Sequence, residues 1–173
     1  MDLTPVMQRY ILHWGEMGGR WGVNRSVAQI HALLYLAGEP VTAEDIADTL
    51  QIARSNVSTS LRELQSWGLV QVVHVMHDRR DHFTTLKDNW ALLLTLIEER
   101  KKREIDPTLS LLRELAAEAE ADKRTPAEVK GRITGMLGFM ETLSGWYDQV
   151  KRLPRPTLIS LMKLGGRIAR FVP

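Results

Sequence analysis

Cysteine is absent from all 173 residues. Disulfide frameworks, thiolate metal ligands and thiol nucleophiles are thereby excluded, which suits a reducing compartment. No run approaches the roughly 20 apolar residues that cross a bilayer, and the N-terminus lacks a basic-then-apolar leader pattern, so a cytoplasmic protein is expected. Also missing are a glycine-rich phosphate loop, a Ser/His/Asp order and a paired-carboxylate motif. No enzyme and no cofactor are expected. The five histidines do not make a metal site, because His74 and His77 have only Asp78 close by in sequence.

What is present is a chain that is 44% hydrophobic with a net charge of +2, long enough for one domain and a helical appendage. The pI near 9.0 is misleading. Residues 1–87 carry 8 basic and 9 acidic side chains, residues 88–120 carry 5 and 8, and residues 121–173 carry 10 and 4. The basic excess lies in the C-terminal third, so any case for nucleic acid must rest on local arrangement.

Apolar residues Val6, Tyr10, Ile11, Trp14 and Met17 recur at helical spacing, and Gly18-Gly19 predicts a stop. A second helix is expected to open with the capping box Ser26–Gln29 and end at Gly38 and Pro40. Thr42 is the expected cap of a third, with Glu44 and Asp45 in its first turn. A fourth runs from about Ala53 to Trp67, before Gly68. "LVQVVHVM" and "HFTTL" then read as two strands around "HDRRD", a hairpin. Helical patterning returns at Asp88, with restarts expected at Asp106-Pro107 and Thr125-Pro126.

Helices followed by a hairpin are the order of a winged helix-turn-helix. In the fourth helix Val57, Leu61 and Leu64 share one face, which should pack inward. The other face carries Arg54, Ser55, Asn56, Ser58, Thr59 and Arg62. Short hydroxyl and amide groups allow close approach to a major groove, and arginines reach guanine or phosphate. An ordinary solvated face would be richer in Lys and Glu, the better helix formers. At the hairpin tip Arg79 and Arg80 lie between Asp78 and Asp81, as a wing that enters the minor groove or clamps a phosphate would require; the bland alternative is a polar turn.

The stretch "AQIHALLYLAGEPVTAEDIADTLQIARSNVSTSLRELQSWGLVQVVHVMHDRRDHF" resembles the MarR-like winged-helix regulators, in particular the GbsR-type branch, some of whose members are associated with glycine betaine and choline metabolism. The similarity covers roughly residues 20–120 and includes "KKREIDPTLSLLREL"; "NVSTSLRELQSWGLV" and "DRRD" together carry it. It implies a homodimeric transcriptional regulator whose terminal helices form the interface; repression by blocking a promoter is the mode expected here. A ligand pocket would lie near the hinge between interface and DNA lobes. It also implies a wing salt bridge, since Asp78 and Arg80 match the family's Asp-x-Arg pattern. Ala53 departs from the usual serine or threonine cap, and Ser55 is the alternative cap with a shifted start.

The expected class is therefore mainly α with a small β-hairpin wing, a winged helix-turn-helix with additional N- and C-terminal dimerisation helices. The expected organisation is 1–25 as an N-terminal helix for dimer and ligand contacts, 26–87 as the DNA-binding domain, 88–153 as dimerisation helices and 154–173 as a basic amphipathic tail. A two-fold dimer should read a pseudo-palindromic double-stranded site. The stripe Trp90, Leu92, Leu93, Leu94, Leu96 and Ile97 is wide enough for a partner as well as a core. Trp14, Trp21, Tyr35, Trp90, Trp146 and Tyr147 are candidate walls of a cage for choline or glycine betaine, or simply core fillers. The tail places Lys163, Arg167 and Arg170 on one face and Leu158, Leu161, Met162 and Ile168 on another. It suits an anionic membrane, extra phosphate contacts or plain docking. The rival functions are a winged helix used as a protein-interaction module and a small-molecule binder without DNA.

Overall fold

The computed structural model describes residues 1–165, which divide into two compact units, Met1–Glu99 and Arg100 onward. The tail residues Arg167, Ile168 and Arg170 lie outside the described residues.

The first unit opens with α1 (Pro5–Arg20) and α2 (Arg25–Leu36). Helix α1 does not stop at Gly18-Gly19. A Cβ on Gly18 would sit 2.5 Å from Cβ of Ala28, so this glycine lets α1 lie against α2. The turn comes at Gly22, with φ of 75°, where a glycine avoids the Cβ penalty of left-handed backbone. The cap of α2 is Asn24, whose Oδ1 accepts from the Ser26 amide at 2.8 Å, and not the expected Ser26. Asparagine is among the best N-cap residues, and the chain turns there two residues sooner than the serine signal indicated.

A two-residue strand, β1 (Val41–Thr42), precedes α3 (Ala43–Leu50), α4 (Arg54–Ser66), β2 (Val70–Val73), β3 (His82–Thr85) and α5 (Asn89–Arg100). Thr42 caps α3 as expected: its Oγ1 accepts from the Asp45 amide at 3.2 Å and donates to the Asp45 carboxylate at 2.6 Å. The sheet is antiparallel in the order β1-β3-β2, with Val41 and Val72 both opposite Phe83. The hairpin strands are shorter than the sequence pattern, because pairing ends at Val73 opposite His82 and residues 74–81 form the loop.

The core gathers Val27, Ile30, Leu33 and Leu34 of α2, Ile46 of α3, Val57, Leu61 and Leu64 of α4, and Phe83 of β3. Each such side chain removed from water contributes on the order of 1.5–3 kcal/mol before entropy. That contribution fixes which face of α4 turns inward. Of the broad stripe on α5, Leu92 joins this core, while Leu93, Leu96 and Ile97 remain exposed.

The second unit begins with a π-helical segment, Lys101–Ile105, leading into α6 (Asp106–Ala121), α7 (Ala127–Val150) and α8 (Arg155–Leu164). The expected cap-and-restart at Asp106 does not occur, because Asp106 is itself helical and its carboxylate accepts from Lys101 Nζ at 2.7 Å. Nor does Thr125 cap α7: Pro126 holds the cap position, and the Thr125 hydroxyl donates to Asp122. Helices α6 and α7 pack together, with Arg113 Nε donating to Glu141 at 2.9 Å. Yet no residue of the 24-residue α7 is buried. Met136, Phe139, Leu143 and Trp146 are 52%, 58%, 48% and 62% exposed. Helix α8 ends at Leu164, followed by Gly165 at φ of 47°. Among the described residues no helix is long and apolar enough to cross a membrane.

Candidate nucleic-acid interface

Helix α4 presents two chemically distinct faces. Val57, Ser60, Leu61 and Leu64 are buried, while Arg54, Ser55, Asn56, Ser58, Thr59 and Arg62 are all exposed. Ala53 stands at the N-cap with no side-chain hydrogen bond, and Ser55 is helical, so the alternative cap is not used. The exposed residues are not equivalent. Asn56 Nδ2 donates to Ser26 Oγ at 3.0 Å, and its Oδ1 faces the Ser60 hydroxyl at 3.4 Å. Its amide thus ties α4 to the start of α2. Arg62 makes two longer contacts within its own helix, to Ser58 O and Thr59 Oγ1, both at 3.4 Å. Bonds of that length are weak and easily exchanged.

The wing is organised by one carboxylate. His77 adopts φ of 68°, and Asp78 then accepts from the Arg80 amide at 3.0 Å and from its guanidinium at 2.5–3.1 Å. Arg80 beside it holds the Asp78 carboxyl far below the usual carboxylate range, through hydrogen bonding first and charge second. His82 is buried under the wing with Nδ1 3.0 Å from the Arg80 carbonyl. A carbonyl only accepts, so Nδ1 carries the proton. Arg79 is exposed beside this knot and, among the described residues, has no carboxylate partner.

Of the six candidate aromatic walls, the structure brings three together. Trp14, Trp21 and Tyr35 line a cavity of about 500 Å³ within the first unit, along with Trp67 and residues of α1, α2 and α5. Trp90 does not line it. Trp146 and Tyr147 belong to the second unit. No Asp, Glu, Lys or Arg lines the cavity; besides the indole N–H groups of Trp14, Trp21 and Trp67, its polar side chains are His31, Tyr35 and Asn89. The Lys87 ammonium lies 6.0 Å from the centroid of the Tyr35 ring.

The polar partners Thr85, Lys87 and Asn89 escaped the sequence reading. Thr85 Oγ1 donates to the Leu69 carbonyl at 2.6 Å and lies 3.1 Å from His31 Nε2, which is therefore the donor of that pair. Lys87 Nζ donates to three carbonyls at the end of α2: Leu34 at 2.5 Å, Tyr35 at 2.9 Å and Ala37 at 2.6 Å. The Tyr35 hydroxyl donates to Asn89 Oδ1 at 2.7 Å. The only trace in the sequence is alternation: residues 85, 87 and 89 all turn toward α2 as the chain leaves the wing. Burial, reinforced by the Lys87 charge, pushes the His31 pKa down to about 4. His31 is therefore neutral at neutral pH.

The MarR family model matches residues 21–81, which hold α2 through the wing. The HTH-type transcriptional repressor GbsR of Bacillus subtilis (strain 168) is 21% identical over 156 residues, spanning 88% of this chain and 83% of that protein. A crystal structure described as that of a transcriptional regulator superposes with a TM-score of 0.60 at 18% identity, covering 84% of this chain and 95% of the other. That likeness is one of fold.

Proposed function

We propose that this chain, a MarR-like DNA-binding transcriptional regulator, acts as a homodimer that represses by occupying a pseudo-palindromic site and answers to a small molecule. The observation that carries the reading is the sorting of α4. Its apolar residues close the core with Ser60, while Arg54, Ser55, Ser58, Thr59 and Arg62 face outward next to a wing whose arginine is held by Asp78. Base edges are read by such hydroxyl and guanidinium groups, and the wing supplies backbone or minor-groove contact. Asn56, committed to Ser26, orients α4 more than it reads a base.

Two further observations support the finer parts. The apolar residues left exposed on α7, with Ile97 on α5, are what a second copy would cover. The aromatic-lined cavity is large enough for an effector. For choline or glycine betaine the cavity offers three of the six expected walls and no carboxylate, and a resident ammonium already faces the Tyr35 ring. The effector is thus proposed as a small molecule without that identity. A cytoplasmic location is proposed with the function.

DNA affinity measured for Arg54→Ala and Arg80→Ala tests the reading. Each should weaken binding at least about tenfold, since a good base contact is worth roughly 1–3 kcal/mol. Unchanged binding in both would favour the protein-interaction module instead.

A further inference from the structure

Nothing in DNA reading by α4 and the wing uses the basic, apolar stretch that follows Asp148. Helix α8 buries one residue, Leu158. Met162, one turn further along the same face, is 67% exposed, and Leu161 is 37% exposed. Lys163, next to Met162, and Arg152, ahead of the helix, are exposed as well. No acid follows Asp148 in the sequence, and its carboxylate already lies 3.0 Å from Lys151 and 3.8 Å from Lys101. Residues 149–173 hold six Lys or Arg, with Ile168, Phe171 and Val172 set around Arg167 and Arg170.

We propose that α8 and the basic sequence after it bind an anionic lipid surface. The cations meet headgroup phosphates, and Met162 and Leu161 enter the boundary of the acyl chains. Positive charge without acids calls for a polyanion, and a lipid leaflet and a nucleic-acid backbone both qualify by charge. The apolar residues decide between them. A phosphate backbone gives an exposed methionine nothing to pack against, whereas the boundary between headgroups and acyl chains removes it from water. A second copy of α8 across a two-fold axis would set like charges against one another. No described helix is long and apolar enough to cross a membrane, so the contact lies on the surface and is reversible. Part of its strength is charge, so it weakens with salt.

Co-sedimentation of the full chain with lipid vesicles tests this. One set is phosphatidylcholine alone, and the other has a quarter of its lipid replaced by phosphatidylglycerol. The chain should pellet with the anionic vesicles and stay in solution with the neutral ones, and the bound fraction should fall as salt is raised. Met162→Ser should weaken partition about tenfold through lost apolar burial, and Lys163→Gln about fivefold through one lost charge. Both positions are exposed, and an unchanged urea midpoint checks that folding is intact. Equal binding to both vesicle sets, or to neither, would overturn the proposal. So would anionic binding that neither substitution weakens, which would place the contact elsewhere on the chain. Weaker retention of random DNA duplexes by both variants, with no vesicle binding by wild type, would assign the stretch to nucleic acid instead. A dimer that becomes monomeric in Met162→Ser, again with no vesicle binding by wild type, would assign it to a second copy. The vesicle readouts use no DNA, so they stand or fall apart from the regulatory reading.

Discussion

The two compact units differ in how much of their apolar side-chain set they bury. In Met1–Glu99 the large side chains of α2, α3 and α4 close on one another, and Ile30, Leu33 and Ile46 are inaccessible to solvent. In the second unit only Leu109, Ala119 and Leu158 are buried among the described residues, and α7 leaves Met136, Phe139, Leu143 and Trp146 in the open. The first unit closes a core, although Trp21, Leu93, Leu96 and Ile97 stay exposed on it. The second leaves the large apolar side chains of α7 exposed among the described residues, and a second copy is proposed to cover them. Single glycines differ as well, although Gly19, Gly22 and Gly38 of the first unit also meet nothing within 4 Å. Gly18 is wedged against Ala28, whereas a methyl added to Gly131, Gly135, Gly138 or Gly145 of α7 would meet nothing within 4 Å.

The largest effect that could break this contrast is a core truncation set against a surface charge. Leu33→Ala should cost about 2–5 kcal/mol of stability, read from the urea midpoint, because it leaves a cavity in the core. Phe139→Asp should leave the unfolding of the first unit nearly unchanged yet convert dimer to monomer in sedimentation at micromolar concentration. A monomeric wild type would remove the assigned role of α7. Next in size is the pH dependence set by His31. Its folded pKa is pushed down to about 4 from an ordinary 6.5, so below 6.5 the unfolded chain takes a proton that the folded one refuses. Stability should therefore fall as pH drops from 6.5 toward about 4, by up to about 3 kcal/mol. It should level off below that, and His31→Asn should flatten this segment of the curve.

The glycine pair gives the smallest effect and the sharpest one. Gly18→Ala should lose about 1 kcal/mol or more, since the added methyl meets Ala28 and overpacking outweighs helix propensity. Gly135→Ala, with open space around it, should gain up to about 1 kcal/mol of helix stability. If α7 pairs two copies along its glycines, the same substitution should weaken the dimer.

Where local chemistry decided the structure, the sequence was a sufficient guide. Thr42 caps α3 because threonine followed three residues later by aspartate satisfies both partners, and the face of α4 follows from Val57, Leu61 and Leu64. Where a distant neighbour decided it, the sequence misled. Gly18 reads as a stop but is a contact, and Asp106 reads as a cap but is taken by Lys101. Asn56, expected on the DNA face, is exposed there and also bonds Ser26, thirty positions away in the chain, a contact with no local signal. The cavity was legible only in Trp14, Trp21 and Tyr35, because the bonds of Lys87 and Asn89 to α2 span more than fifty residues and leave no local pattern.

Selection of random double-stranded DNA fragments on the purified protein, at low and moderate salt, tests the central claim most directly. A dimer reading through α4 and the wing predicts an enriched pseudo-palindrome whose half-sites lie about one helical turn apart, roughly 10 base pairs. Retention that disappears with salt and leaves no motif, or no retention at all, would contradict it.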